Sequence, residues 1–130
     1  MKKSLKQFFT ILLGIFMVYG GVIHLIKPDF YLPFVPYFLP FREEIIAISG
    51  VFEILVGLGV LIPRFRSFSA LVVVGLMLIF LPIHIWDVFR SDPAIGNHTA
   101  AMIRVPVQVV FIAWSLWIAT PFYKFVKASN

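Results

Sequence analysis

The side chains in this sequence that could do chemistry are few, and they lie inside long apolar runs. Glu53 sits in the middle of 49-SGVFEILVG-57, where Gly50, Glu53 and Gly57 fall on one face of a helix. A carboxylate at membrane depth costs several kcal/mol unless it is paired or protonated, so it must face protein or a cavity. His24 follows Gly20-Gly21, His84 follows Pro82, and Arg104 and Gln108 stand one helical turn apart, with Ser115 further along the same face. Such groups can hold the oxygens of a ligand, form a buried ion pair or relay protons. Two histidines at matched depth could also be axial ligands of a haem. Each residue also has a bland reading. A neutral Glu53 can simply fix helix packing through a hydrogen bond, and an interfacial histidine can simply face water.

Other chemistry is excluded. The chain has no cysteine, which rules out thiol–disulfide transfer, iron–sulfur clusters and thiolate metal sites. No G-x-G-x-x-G, P-loop, H-E-x-x-H or G-x-S-x-G is present, and no metal-ligating cluster or complete catalytic constellation can be assembled. A redox role therefore needs a bound quinone or another cofactor.

The elements that position these residues are set by composition. Of 130 residues, 61% are hydrophobic and 13% charged, and the mean hydropathy is +0.99. A soluble domain of this length runs near half apolar and about a quarter charged. There are too few polar residues here to cover a water-facing surface. Four apolar runs, Phe8–Ile26, Ile45–Ile62, Phe68–Trp86 and roughly Met102–Pro121, approach the ~20 residues that cross a bilayer as a helix. They are uniformly apolar rather than alternating, which disfavours strands. The first run is long for a signal-peptide core and has no A-x-A-like site after it, so it reads as a retained span. The expectation is an all-α, four-helix transmembrane bundle forming a single domain over residues 1–130.

Charge placement orients it. Lys2, Lys3, Lys6, Arg64, Arg66, Lys124 and Lys127 fall on one side of a four-span arrangement, with no acid among them. Lys27, Arg42, Arg90 and Arg104 fall on the other, mixed with Asp29, Glu43, Glu44, Asp87 and Asp92. The positive-inside rule then places both termini in the cytoplasm. The pI near 9.8 is explained by anionic lipid and calls for no nucleic acid.

The stretch 27-KPDFYLPFVPYFLPF-41 joins spans one and two on the outer face. Its prolines oppose a further long helix, and its aromatics suit the headgroup region. It is expected to form an interfacial or shallow re-entrant lid bearing Asp29, Tyr31 and Tyr37, unless it is a plain aromatic belt. Glu43 and Glu44 after Pro40 suit a helix N-terminus; Pro63–Ser67 reads as a tight turn. Asp92–Asn97 reads as a break, with Asn97 or Thr99 as the next N-cap and Pro106 as a kink.

Spans one and three run outward and spans two and four inward, so His24, Glu53, His84, Arg104 and Gln108 all occupy the outer half. Glu53 lies ~12 Å below the outer end of its helix. A buried Glu53–Arg104 ion pair is expected at the floor of an outward-facing pocket, with Gln108 beside it and His24 at the mouth.

The segments 20-GGVIHLIKPDF-30, 49-SGVFEILVGLGVLIPRFR-66 and 104-RVPVQ-108 resemble DoxX-like small membrane proteins, over about Phe8 to Thr120. The matching polar positions are His24, Pro28, Asp29, Glu53, Arg104 and Gln108. The element 80-FLPIHIW-86 departs from the family's FPxN-like pattern by carrying His84. The resemblance implies a four-helix bundle, in some members linked to quinone-dependent oxidoreductase complexes. The expected role is then an accessory or quinone-handling subunit of a membrane redox system. Quinone is its expected ligand, and a membrane or peripheral redox protein, or a second copy of the chain, its protein partner. The expected location is the bacterial inner (plasma) membrane. A lipid- or partner-binding bundle without turnover is the alternative, and haem on His24 and His84 is a third and weaker class.

Overall fold

The computed structural model describes residues 2–128, and the side chains of residues 2–120. The described chain is helical with no strand. α1 spans Lys2–Ile26, a single turn α2 spans Pro28–Tyr31, and a 3-10 turn covers Leu32–Phe34. α3 spans Arg42–Leu61, α4 Arg66–Phe89 and α5 His98–Ala128. The four long helices are each long and apolar enough to cross a bilayer, so this is a multi-pass membrane protein. Their ends reach beyond the apolar runs, because charged first and last turns continue the helix into the headgroup zone. α1 starts at Lys2, and α3 takes in Arg42, Glu43 and Glu44.

The bundle is built from two antiparallel pairs. α1 packs along α3 and α4 along α5; the pairs meet through α3 and α4, while α1 and α5 touch sparsely. Glycine makes the first pair close. A methyl group on Gly57 would stand 2.9 Å from the Gly14 carbonyl oxygen, and one on Gly50 would stand 2.8 Å from that of Gly21. Gly14 and Gly21 on α1 thus face Gly57 and Gly50 on α3, and the backbones approach as small residues in membranes allow. Aromatic rings bridge the sparse α1–α5 side: Phe9 meets Trp114 and Trp117 edge-on, and Phe16 meets Phe111 and Trp114.

The connections are held by side chains. Arg66 donates to the Val60 carbonyl at 3.1 Å, capping the C-terminal end of α3 at the Pro63 turn. Asn97 is the N-cap of α5, its side-chain oxygen accepting the Ala100 N–H at 2.7 Å, with Gly96 before it at φ 116°. Helix α5 continues through Pro106, and α4 through Pro82. The solid core, which includes Leu13, Val60, Ala70, Val73 and Ile118, lies in the half nearer the chain termini.

Candidate functional site

The other half is hollow. His24 at the end of α1, Glu53 on α3, His84 on α4, and Arg104 and Gln108 on α5 all line one cavity of about 270 Å³. Apolar side chains such as Ile46, Phe80 and Ile83 make up most of the remaining wall. Leu39 and Ile45 both line it and are exposed, so it opens where the Lys27–Phe41 connection meets α3. Chain direction explains the convergence: α1 and α4 end here, while α3 and α5 begin here.

Glu53 is 7% exposed, yet the expected Glu53–Arg104 pair is not what the fold makes. The Glu53 Oε2 atom lies 3.8 Å from His24 Nδ1, and that nitrogen also bonds the Gly20 carbonyl at 2.7 Å. The glycine seam is the reason, because it brings α1 and α3 so close that a methyl on Gly50 would touch His24 Cβ at 2.7 Å. His24 is accordingly beside the acid under the lid rather than at the mouth. Arg104 instead lies over the ring of Phe34, 4.5 Å from its centroid. Gln108 donates its amide to the Met77 carbonyl at 3.1 Å. His84 Nδ1 is buried with no hydrogen-bond partner among the described residues.

The Lys27–Phe41 connection forms the lid, though not as a featureless one. Pro28 opens a helical turn, where its missing N–H costs nothing, and Pro33 sits in the 3-10 turn. Tyr31 stacks on His24 with ring centroids 3.7 Å apart. Burial pushes the Tyr31 phenol above its ordinary range, so it keeps its proton at neutral pH. Of the expected lid residues only Tyr31 reaches the cavity. Asp29 is exposed and Tyr37 is 83% exposed, and neither lines it. Arg42 donates to the carbonyls of Leu32 and Val35, and Arg90 donates to that of Pro33 at 2.7 Å. The lid therefore rests on α3 by one arginine and on the end of α4 by another. The chain passes from lid to α3 at Phe41, whose φ of 57° and ψ of 43° are left-handed, a conformation costing about 1–2 kcal/mol for a residue with a Cβ.

Two residues escape sequence reasoning. Phe34 is one aromatic among many in its segment, and nothing in its spacing distinguishes it as the buried ring that meets Arg104. Asp87 counts among the loop acids by position, but it belongs to α4 and is only 2% exposed. Its Oδ1 accepts the Ala94 N–H at 2.6 Å and lies 3.6 Å from Arg90. Its place one turn after His84, just before a Pro-Ala break, was the available signal.

Among the described residues, no three His, Cys, Asp or Glu side chains gather closely enough to hold a metal ion. His24 and His84 do line the same cavity, but about 270 Å³ is below the roughly 300–1,000 Å³ of pockets that take drug-sized ligands. That is the space of roughly nine water molecules at about 30 Å³ each, room for a single ring or an acyl head.

The fold and the site together define a small polytopic helical protein with a lidded, mostly apolar cavity carrying a few convergent polar groups. A family model described as "Domain of unknown function (DUF8561)" matches residues 13–119, and the chain belongs to that family. No curated protein and no solved structure matches it significantly.

Proposed function

We propose that this protein is a membrane-embedded binding subunit whose lidded cavity holds the oxygen-bearing head of a membrane-soluble amphiphile. The observation that carries the reading is the meeting of His24, Glu53, His84, Arg104 and Gln108 in one cavity that Tyr31 and Phe34 of the lid also line. Such a mixture of apolar wall and few polar groups is the ordinary make-up of a ligand site. The resemblance to DoxX-like proteins supplies the setting: an accessory subunit of a membrane redox system, with a quinone as ligand. His24 and Glu53 then meet one ring oxygen, and Arg104 and His84 the other, while the aromatic rings flank the head. With both termini in the cytoplasm, as charge placement indicates, the cavity serves the outer leaflet of a bacterial inner membrane.

The second reading is a lipid-binding bundle without turnover, and one observation favours it: Arg104 faces the cavity with no acid of its own. Both readings share one test. Protein extracted in mild detergent and examined by native mass spectrometry should carry a single amphiphile per chain. Ser49→Phe, which fills the cavity from its α3 wall, should abolish that adduct while the thermal transition persists. A wild-type spectrum without any adduct, before and after incubation with total membrane lipid, contradicts the proposal. A retained quinone that Glu53→Gln weakens favours the redox reading.

A further inference from the structure

The charges around the cavity do not balance, and the imbalance identifies the ligand. Arg104 is the cavity-lining side chain with a permanent charge. Among the described residues it donates no hydrogen bond and has no carboxylate at ion-pair distance; its contact is the face of Phe34. The other charges nearby are already matched. Glu53 and His24 stand together, and with one proton between them the pair is neutral whichever of them holds it. Asp87 is close enough to act on Arg104 electrostatically but beyond ion-pair distance; its Oδ1 is engaged by Arg90 and by the Ala94 N–H, while its Oδ2 is buried with no hydrogen-bond partner among the described residues. A second guanidinium repeats the pattern at the base of the lid. Among the described residues Arg42 bonds the carbonyls of Leu32 and Val35, and its Nε is buried with no hydrogen-bond partner there.

Two guanidiniums without acids at the cavity end of a membrane bundle are costly unless something anionic joins them. A neutral head can accept their hydrogen bonds but leaves the charge in place. We infer that the cavity selects an acidic amphiphile, whose carboxylate or phosphate oxygens sit against Arg104 and whose tail leaves between the lid and α3, past Leu39 and Ile45. Arginine suits this role because its planar fork matches two oxygens of such a head. The mouth suits it as well, since both mouth residues are apolar and exposed. This inference rests on the reading of the cavity as a ligand site, and it decides between the quinone and lipid forms of that reading.

The test uses the intact protein in nanodiscs of zwitterionic phosphatidylcholine, with bound probe counted by native mass spectrometry. Four probes are added singly: palmitate, its uncharged methyl ester, lysophosphatidate and a short-tailed neutral quinone. Wild type is expected to bind palmitate or lysophosphatidate at least about tenfold more tightly than the methyl ester and the quinone, as unpaired buried charge demands. Palmitate alone identifies a free fatty acid, and lysophosphatidate alone a lipid phosphate. Arg104→Gln should weaken the acidic probe roughly 30-fold or more, with Arg104→Lys retaining much of the preference. If Arg104→Gln does not fold, the comparison of palmitate with its ester on wild type still decides. Methyl ester or quinone bound as tightly as the acids overturns the inference and leaves the ligand site standing. No binding of any probe removes both.

Discussion

The two halves of the bundle are made from the same four helices, and they are put to opposite use. Toward the termini, Leu13, Val60, Val73 and Ile118 fill the space between the helices almost completely. Toward the lid, the same helices surround a cavity lined by His24, Glu53, His84, Arg104 and Gln108. The α1–α3 glycine seam runs through both halves, with Gly14–Gly57 in one and Gly21–Gly50 in the other. Contact between α1 and α3 therefore does not distinguish them. The difference comes from how α4 and α5 meet that pair, and from the lid that takes up the space. A membrane bundle has no hydrophobic force holding helix to helix, only packing and polar contacts. The packed half supplies the rigidity that the hollow half lacks.

The comparison can be broken most severely at the seam. In Gly21→Leu the new side chain would run into the Gly50 backbone and stand 2.7 Å from Ile54 Cγ1. It should cost at least about 3 kcal/mol or prevent folding, read by size-exclusion profile and thermal melting. Gly75→Ala, at a position with open space around it, should be neutral by the same measures. The next largest effect is expected at the Glu53–His24 pair. His24→Ala leaves a carboxylate alone in a low-dielectric wall and should cost about 2–4 kcal/mol, and Glu53→Gln in that background should recover most of it. A double-mutant cycle of His24 with Glu53 should show coupling, whereas Glu53 with Arg104 should be additive within about 0.5 kcal/mol. Strong Glu53–Arg104 coupling would restore the ion pair that the fold does not make.

A smaller effect compares equal truncations in the two halves. Leu13→Ala in the packed half should cost about 1–3 kcal/mol, since its void cannot collapse. Ile83→Ala, beside space that already exists, should cost less than about 1 kcal/mol. Equal losses would mean that the lid half is packed in solution. Arg90→Gln removes the bond to Pro33 and also the charge 3.6 Å from the buried Asp87 carboxylate, and should cost about 1–3 kcal/mol. Because the chain has no native cysteine, Ser49→Cys reports on the cavity directly. Its labelling by a small thiol reagent should speed up several-fold when Arg90→Gln releases the lid from α4.

Much of this could be read before any coordinates. Apolar length located the four spans, and helix rise placed the polar residues in the same half of the bundle, because both depend only on position along an axis. Rotation about that axis is a different quantity. It decided that Glu53 meets His24 rather than Arg104, and it is fixed by the glycine seam, whose paired spacing Gly14–Gly21 and Gly50–Gly57 is visible but whose register is not. Phe34 and Asp87 were hidden for other reasons. An aromatic among aromatics carries no pattern, and an acid near a helix end looks like a loop acid until the loop folds back onto it through Ala94.

The central claim is that the polar side chains of four spans turn toward one another at the lid end. A cryo-EM map of the protein in a lipid disc, held by a rigid antibody fragment, tests it most directly. The expected map has the Glu53 carboxylate beside His24 under Tyr31, with Arg104 over Phe34 and elongated density running from Arg104 to the gap at Leu39 and Ile45. A map with the Glu53 side chain directed into acyl chains, or with α4 and α5 closed over the space so that no cavity remains, would contradict it.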